Sequence, residues 1–347
     1  MRLDRYAAPR APSAARRRLL WHALVTVLVV GSLCSGYLLY ASVRDIVAYG
    51  GLPLLTVRAA YEGPGVSGPV ATPLPSPTPA PQRMNILLLG SDEREEAQGA
   101  ARTDTMILCS IDPAAKTVTM LSIPRDLWLP LPPGFSRVRE DRINTAYLYG
   151  ELYKYPGGGP ALAKEAVQYN LGVPVQYYAR IDFAGFRRII DEVGGIDVDV
   201  PRDITDTAYP AGGDEVMTIH FDAGRQHMDG DQALKYARTR HDSNDIDRAH
   251  RQQQVIMAVR SKVLSLDIPI THIPAMLRIL GSSVQTDLSL DKILTAAQVV
   301  RSAQQGGIRQ GVIDETMTTP WLTPGGADVL LPQRDKIRQL IEELFVL

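Results

Sequence analysis

The sequence predicts an α/β protein: a layered α-β-α domain with a central mixed sheet, preceded by one N-terminal transmembrane helix. Three observations predict this fold class. An apolar run, residues 19–40, lacks Asp, Glu, Lys and Arg and follows an Arg-rich tail. A proline-rich stretch, residues 62–82, then separates this run from the rest of the chain. From Met84 onward, short apolar runs typical of strands alternate with stretches of helical period, which is the pattern of a layered α/β domain.

The N-terminal residues predict a membrane anchor. Residues 1–18 contain six arginines and one acidic residue, and a helix over residues 19–40 would be about 33 Å long, enough to cross a bilayer core. A cleaved signal peptide is the alternative, but its apolar segment usually has ~7–15 residues and ends at small residues. This run is longer and ends in Tyr37 to Tyr40. We therefore expect an uncleaved anchor with residues 1–18 in the cytoplasm and residues after Tyr40 outside the cell.

A spacer and one large domain are expected after the anchor. Residues 41–83 are predicted to be a juxtamembrane segment and Pro-rich linker, and the seven prolines of residues 62–82 exclude a helix there and favour an extended chain. Residues 84–347 are predicted to form the extracellular domain. The composition, 45% apolar and 22% charged, supports a large core and excludes a disordered chain. The net charge of −1 argues against a nucleic-acid binder, so no nucleic-acid partner is expected.

The elements of the domain follow from its apolar pattern. Strands are predicted over residues 85–90, 105–112 and 118–124, with a hairpin turn between the last two. Cys109 lies in the middle of the second strand and is expected to be a buried core thiol. Two further strands and seven helices are expected at the following positions: strands over 175–181 and 196–200, and helices over 160–170, 183–193, 229–237, 246–264, 273–284, 290–304 and 333–345.

Charged residues lie where the first three strands begin or end. Asp92 follows the first strand, Arg102 and Asp104 precede the second, and Arg125 and Asp126 follow the third. If these strands are neighbours in one sheet, the charged side chains meet at one edge. Loops at strand ends are where α/β sheets place ligand sites.

A second charged cluster lies at residues 236–253 and contains Arg238, Arg240, Arg248 and Arg251. The planar fork of arginine matches phosphate oxygens in a bidentate way, and carboxylates beside it can hold Mg²⁺. This combination indicates a site for a diphosphate or polyphosphate. A solvated helix face with internal salt bridges is the alternative that the charges leave open. His241 and His250 lie in or beside this cluster, but nothing in their spacing favours a chemical role.

Six ordered motifs in residues 84–265 resemble the LytR-CpsA-Psr family of membrane-anchored cell-wall enzymes. The motifs are NILLLGSD, RTDTMIL, SIPRDLW, DRINTAY, FRRIIDEVGGIDVDVP and YARTRHDSNDIDRAHRQQ. The resemblance implies a phosphotransferase that moves a glycopolymer from a polyprenyl-pyrophosphate carrier to a sugar hydroxyl of peptidoglycan. It also implies Mg²⁺ as the cofactor and the membrane as a partner. Teichoic acid, capsule, arabinogalactan and secondary wall polysaccharide all remain open as the polymer.

The resemblance also implies roles for individual residues. Mg²⁺ would be held by Asp92 and Asp104, and the catalytic residues would be Asp104, Arg102 and Arg125. The pyrophosphate would be bound by a larger set, which comprises Arg102, Arg125, Arg238, Arg240, Arg248, Arg251, Gln252 and, as a lesser candidate, Asn144. The base that accepts the hydroxyl proton is left open between Asp104 and Asp126.

A groove between sheet and helices is implied for the lipid tail of the carrier. Leu162 and Val167 in one helix, and Phe186, Ile189 and Ile190 in the next, are the candidates to line it. Ordinary core packing is the alternative for each of them. Two alternatives to the transferase also stay open: a non-enzymatic scaffold or regulator that binds the lipid or the wall polymer, and a polyprenyl-pyrophosphate pyrophosphatase.

Overall fold

A six-stranded mixed sheet forms the centre of the domain. The computed structural model describes residues 83–91, 102–212, 215–240, 245–266, 284–303 and 307–345. The strands in these ranges are β1 (Met84–Ser91), β2 (Thr103–Asp112), β3 (Thr117–Ser122), β4 (Trp128–Pro130), β5 (Glu140–Arg142), β6 (Tyr177–Asp182), β7 (Ile196–Val200), β8 (Ile204–Gly212), β9 (Glu215–Phe221), β10 (Gly224–Met228), β11 (Val284–Thr286), β12 (Ile308–Val312), β13 (Thr318–Leu322) and β14 (Asp328–Pro332). The helices are α1 (Thr145–Leu152), α2 (Gly158–Leu171), α3 (Phe183–Glu192), α4 (Gly230–Arg238), α5 (Asp245–Ser265), α6 (Leu290–Ser302) and α7 (Arg334–Phe345).

The order across the central sheet is β11-β6-β1-β2-β3-β12. The chain runs antiparallel between β1 and β2 and between β2 and β3, which are successive strands along the chain. It runs parallel between β1 and β6 and between β3 and β12, which are separated by helices along the chain. The sheet is therefore mixed, as the sequence predicts.

Helices cover both faces of this sheet because its strands are apolar on both faces. Leu87 and Leu89 of β1 point into a core shared with α1, α2 and α7. Ile86, on the other face, points into a core shared with α5 and α6. Side chains of a strand alternate between the two faces, so a continuous apolar run such as β1 needs a partner layer on each side. The α-β-α layering is thus confirmed.

A third core lies beside the sheet and contains α3, α4 and two small hairpin-like sheets. The strand β7 alternates along IDVDV, with Ile196, Val198 and Val200 buried and the two aspartates between them exposed. It pairs with β10 in a two-stranded sheet, while β8 pairs with β9. The prediction of an alternating strand over residues 196–200 is confirmed.

The predicted elements in the described ranges are present, with bounds that differ by at most two residues. Cys109 lies buried in the middle of β2, and burial raises the pKa of its thiol to about 12, so the prediction of a core thiol is confirmed. The predictions for residues 1–82, and the helix predicted over 273–284 apart from its last residue, lie outside the described residues. Among the helices in the described ranges, none is long and apolar enough to cross a membrane.

Candidate active site

The ends of three neighbouring strands meet at one edge of the central sheet, as their charged flanks predict. Ser91 at the end of β1 pairs with Thr103 at the start of β2. On the other side, Ile123 directly after β3 donates its backbone N–H to Met106 of β2 at 2.9 Å. Gly90 permits the close approach of these strands, because a Cβ at this position would lie 2.9 Å from the Cβ of Thr105. The geometry brings the loop after β3 directly against the start of β2.

Arg125, in the loop after β3, is surrounded by three carboxylates. Its Nη1 lies 2.6 Å from Asp104 Oδ2, and its Nε lies 3.2 Å from Asp126 Oδ2 and 3.6 Å from Asp245 Oδ2. Burial by itself would lower the pKa of Arg125, but the three carboxylates outweigh burial and raise that pKa above its usual value. Arg125 is therefore a fixed cation that holds three anionic side chains from different parts of the chain together.

Asn144 supports Asp104 from the opposite side. Its side-chain amide donates to Asp104 Oδ1 at 3.2 Å, and its backbone N–H donates to the carbonyl of Arg125 at 3.3 Å. Asn144 is 3% exposed, and its own Oδ1 is buried without a hydrogen-bond partner among the described residues. Asn144 is not a residue of the cavity wall, so it orients the carboxylate of Asp104 through its amide nitrogen from behind that wall.

Arg251 lies behind the site and holds the turn at the end of α4. It is 5% exposed, its Nε donates to the carbonyl of Tyr236 at 3.1 Å, and its Nη2 donates to the carbonyl of Thr239. Asp206 of β8 holds the same turn, because its Oδ2 accepts from the hydroxyl of Thr239 at 2.7 Å and from the N–H of Arg240 at 3.3 Å. These buried contacts fix the direction in which the two arginines of this turn leave the backbone.

The arginines of the second cluster are held in different ways. Arg238 lies between two rings, with its guanidinium carbon 4.2 Å from the ring centre of Phe183 and 5.5 Å from that of Tyr209, a double cation–π arrangement. Arg240 is more exposed and pairs with Asp245 through its Nε at 2.9 Å. Arg248 is buried and also contacts Asp245, at 3.3 Å. Burial lowers the pKa of Arg248 to about 10, which leaves the side chain cationic at neutral pH.

These groups surround a polar cavity of about 900 Å³. Within the described residues, its wall contains five carboxylates and three guanidinium groups, with Gly90, Thr105, Gln252, Phe183, Tyr209 and Trp321 among the other wall residues. The five carboxylates are those of Asp104, Asp126, Asp206, Asp245 and Asp328, and the three guanidinium groups are those of Arg238, Arg240 and Arg248. Arg125 and Arg142, which are not wall residues, form ion pairs with Asp104, Asp126 and Asp245 and so balance much of the negative charge of the wall.

The wall of this cavity fits a magnesium ion that is shared with phosphate oxygens. No three His, Cys, Asp or Glu side chains in the described part of the chain are grouped closely enough to hold a metal by themselves. Mg²⁺ does not need such a group, because it is commonly held by one or two carboxylates together with substrate phosphates and water. Asp104 contributes a side chain that is 35% exposed, and its two oxygens are oriented by Arg125 and by the amide nitrogen of Asn144. Asp92, the second predicted ligand, lies outside the described residues.

A second, apolar cavity of about 350 Å³ adjoins the polar one. It lies between the central sheet and the helices α3, α4 and α5, with Phe186, Ile189 and Ile190 in its wall. The prediction of a groove lined by Phe186 and Ile189 is confirmed, whereas Ile190 is 1% exposed and also packs in the core beside the sheet. Leu162 and Val167 of α2 do not line it, because they lie in the core on the opposite face of the sheet, with 0% and 1% exposure. For these two residues the alternative of core packing is correct.

The predicted site residues fall into three groups. The largest comprises residues in the wall of the polar cavity or in contact with one of them, namely Asp104, Arg125, Asp126, Asn144, Arg238, Arg240, Arg248 and Gln252. Arg251 lies behind this wall, and Arg102 is exposed at the start of β2 and is not among the wall residues. Asp92 lies outside the described residues. The two histidines, which were not predicted as site residues, do not add to the site in the described part of the chain: His241 lies outside it, and His250 is exposed and is not a wall residue.

Other wall residues were not predicted as site residues. Asp245 could have been found, because it stands three residues before Arg248 at the start of a predicted helix, the spacing that places the two on one helix face. The sequence did not indicate Asp206, Tyr209 and Trp321 as site residues, since each belongs to a strand that the apolar pattern does not predict.

Comparisons with known proteins identify the same family that the six sequence motifs resemble. Residues 73–345 match the LytR_cpsA_psr family. The chain is 40% identical over 214 residues to the polyisoprenyl-teichoic acid–peptidoglycan teichoic acid transferase TagU of Oceanobacillus iheyensis, a match that covers 61% of each chain. It is 30% identical over 235 residues to the TagU of Enterococcus faecalis, covering 67% of this chain and 70% of that one. The chain thus spans about three fifths of the length of the first of these relatives.

The fold agrees as well. The crystal structure of Bacillus subtilis TagV superposes with a TM-score of 0.60 at 29% sequence identity, covering 76% of this chain and 98% of that one. The match to the family extends over most of the described domain, including the sheet edge, the loop with Arg125 and the turn with Arg238 and Arg240. The chain belongs to the LytR-CpsA-Psr family.

Proposed function

We propose that the chain is a phosphotransferase that moves a glycopolymer from a polyprenyl-pyrophosphate carrier to a sugar hydroxyl of peptidoglycan. One observation carries the proposal: the polar and apolar cavities share wall residues, namely Gly90, Thr105, Phe183, Arg238 and Gln252. An amphiphile with a phosphate head and a long apolar tail can therefore place its head among the arginines while its tail stays against aliphatic side chains. The names of the relatives support a teichoic acid as the first polymer to test.

The proposed step is a displacement at phosphorus. The oxygen of the acceptor hydroxyl forms a bond to the phosphorus that carries the sugar, the bridging P–O bond of the pyrophosphate breaks, and polyprenyl phosphate leaves. The hydroxyl proton goes to a carboxylate of the cavity wall, for which Asp104 and Asp126 are the two candidates. The guanidinium groups of Arg238, Arg240 and Arg248 stabilise the charge on the phosphate oxygens.

Mg²⁺ is part of the proposal. When bound, the ion would add positive charge beside the phosphate oxygens, where the carboxylates of Asp104, Asp126 and Asp245 already balance much of the charge of Arg125. Asp104 would hold it, together with Asp92. Arg125 keeps the carboxylate of Asp104 oriented through the 2.6 Å contact to its Oδ2.

The proposed location is the outer face of the cell membrane. Residues 19–40 would be the single span, residues 1–18 would lie in the cytoplasm, and residues 84–347 would act outside, where peptidoglycan is accessible. The apolar cavity supports contact with a membrane-borne substrate, because a lipid tail has to leave the bilayer to enter it.

The test uses the full chain in detergent micelles with a synthetic polyprenyl-pyrophosphoryl disaccharide and a peptidoglycan oligosaccharide, with Mg²⁺ or with a chelator. Release of polyprenyl phosphate and formation of the sugar–phosphate–sugar product are both measured. We expect both to require Mg²⁺ and to be lost in Asp104→Ala and Arg125→Ala. Arg83→Ala is the control, because Arg83 forms an ion pair with Asp112 at the opposite end of the strands β1 and β2.

Two outcomes would support the alternatives instead. Release of polyprenyl phosphate that is independent of the acceptor, without the coupled product, would indicate a pyrophosphatase. Tight binding of the donor without any release, unchanged in Asp104→Ala, would indicate a binding scaffold or regulator.

A further inference from the structure

Asp245 is the residue on which three arginines from different parts of the chain converge. Its Oδ1 lies 2.9 Å from Arg240 Nε. Its Oδ2 lies 3.3 Å from Arg248 Nη2 and 3.6 Å from Arg125 Nε. These arginines belong to the turn after α4, to α5 and to the loop after β3, respectively. The tertiary structure therefore places one carboxylate between three guanidinium groups.

Two of these arginines are among the groups that the proposed function assigns to phosphate oxygens. Arg240 and Arg248 lie in the wall of the polar cavity, and so does Asp245 itself. A carboxylate and a phosphate both present pairs of anionic oxygens to a guanidinium group, so one can take the place of the other. A phosphate that contacts Arg240 and Arg248 from the cavity also comes close to the carboxylate of Asp245, and the two anions repel each other. Phosphate and Asp245 therefore compete for the same arginines.

Asp245 can give up these contacts without a change of the backbone. It is the first residue of α5, and its side chain is 18% exposed at the cavity, so rotation about its side-chain bonds can move the carboxylate away from Arg240. The N-terminal end of a helix favours a carboxylate in its first turn, which limits the cost of the released charge. Asp206, another carboxylate of the wall, lacks this freedom, because it is 3% exposed and accepts from the hydroxyl of Thr239 and the backbone N–H of Arg240.

We propose that Asp245 competes with the phosphate ligand: the pyrophosphate of the donor displaces its carboxylate from Arg240 and Arg248, and the carboxylate returns to them as polyprenyl phosphate leaves. This inference rests on the proposed function, which supplies both the donor and the product. The pyrophosphate has terminal oxygens on two phosphorus atoms and can contact several guanidinium groups at once, whereas the product has one phosphorus atom. Asp245 regains its arginines once the bridging bond has broken, and so lowers the affinity for the product. It thus acts on product release rather than on the displacement at phosphorus.

The test measures binding without turnover, with the full chain in detergent micelles. Inorganic pyrophosphate and farnesyl phosphate are titrated calorimetrically, each with Mg²⁺ and with a chelator. Asp245→Asn and Asp245→Ser remove the charge but keep a side chain that is favourable at the start of a helix. Asp245→Asn is also combined with Arg240→Ala and compared with Arg240→Ala alone. Asp247→Asn is the matched control, because Asp247 lies in the same helical turn, is 42% exposed and pairs at 3.1 Å with Arg202, and neither residue is in the cavity wall.

We expect Asp245→Asn and Asp245→Ser to bind pyrophosphate and farnesyl phosphate roughly tenfold more tightly than the parent protein, because no ion pair with Asp245 has to be broken first. Farnesyl phosphate should also become a stronger inhibitor of polyprenyl phosphate release. The gain from Asp245→Asn should be smaller when Arg240→Ala is present, since one of the arginines for which Asp245 competes is then missing. Asp247→Asn should bind both ligands as the parent protein does.

Unchanged or weaker binding of pyrophosphate in both Asp245 variants would overturn the proposal and make Asp245 a residue that only orients the arginines. If binding became weaker with Mg²⁺ alone, Asp245 would instead be a ligand of the ion. An equal gain in Asp247→Asn would also contradict the proposal, because a long-range effect of charge would then explain both variants. A parent protein that binds pyrophosphate but never releases polyprenyl phosphate from the donor would refute the proposed function, while tighter binding in Asp245→Asn would still show the competition, so the two failures are distinguishable.

Discussion

Asp104 Oδ2 lies 2.6 Å from Arg125 Nη1, and this ion pair joins the start of β2 to the loop after β3. The two residues are 21 positions apart in the chain and meet because β2 and β3 are antiparallel neighbours. The same guanidinium also contacts Asp126 and Asp245. A single cation therefore sets the positions of three carboxylates around the cavity.

The first prediction concerns the shape of this cation. In Arg125→Lys the charge stays, but a single ammonium group cannot contact three carboxylates as a planar fork does. We expect the rate of polyprenyl phosphate release at saturating donor to fall about 100-fold. The control is Arg83→Lys, which changes an exposed ion pair with Asp112 and should leave the rate unchanged. A fully active Arg125→Lys variant would show that only the charge at this position matters.

The second prediction separates an arginine that supports the site from one that faces its ligand. Arg251→Ala leaves two buried carbonyl groups without their donor, so the free energy of unfolding should fall by about 2 kcal/mol in urea titrations of the full chain. Arg240→Ala removes a side chain that is 45% exposed, and should change stability by less than about 0.5 kcal/mol while it weakens donor binding. Equal losses of stability in both variants would contradict this distinction.

The third prediction concerns the apolar cavity. Ile189→Gln places a polar amide in a wall that is mostly aliphatic and aromatic, so a long polyprenyl donor should show a roughly tenfold higher KM. A donor with a short geranyl chain should show little change, because it buries less of its tail. Leu152→Gln is the control at a leucine that is 60% exposed on α1. Equal effects on the long and short donors would argue against a lipid in this cavity.

The fourth prediction is a pH dependence of stability. Burial, the hydrogen bond to Asp141 and the charge of that carboxylate raise the pKa of Tyr149 from 10.0 to about 12. The folded protein therefore keeps a proton that the unfolded chain releases, so this stabilisation is present below pH 10 and is lost as the pH rises towards 12. Thermal unfolding from about pH 9 to about pH 11.5 should show a smaller decrease in Tm with pH in Tyr149→Phe than in the parent.

Tyr169→Phe is the matched control for this measurement, because the ring of Tyr169 is 52% exposed on α2. Its Tm should follow the parent across the whole pH range. If Tm decreased with pH as steeply in Tyr149→Phe as in the parent protein, this hydroxyl would not contribute to the loss of stability at alkaline pH.

The elements that were predicted correctly are those marked by apolar residues or glycines that lie close together in the sequence. The strands β1, β2 and β3 are continuous apolar runs with two buried faces, and α3 ends at two glycines with positive φ. The strands β8, β13 and β14 were missed. Most residues of β8 and β13 are exposed, and β8 and β13 are stabilised by pairing with β9 and β14, so they lack the continuous apolar pattern of β1 to β3. Their side chains, including Tyr209 and Trp321, were therefore missing from the predicted site.

The sequence by itself determined the α/β class, the charged ends of the first three strands and the arginine-rich turn after α4, because each depends on residues close together in the chain. Only the tertiary structure decided that Ile189 lines a cavity whereas Leu162 fills a core, since both are aliphatic residues of amphipathic helices. It also decided that Arg251 supports the turn whereas Arg240 is exposed at the cavity. These differences depend on which elements pack against each side chain, and that packing is set by contacts between residues far apart in the chain.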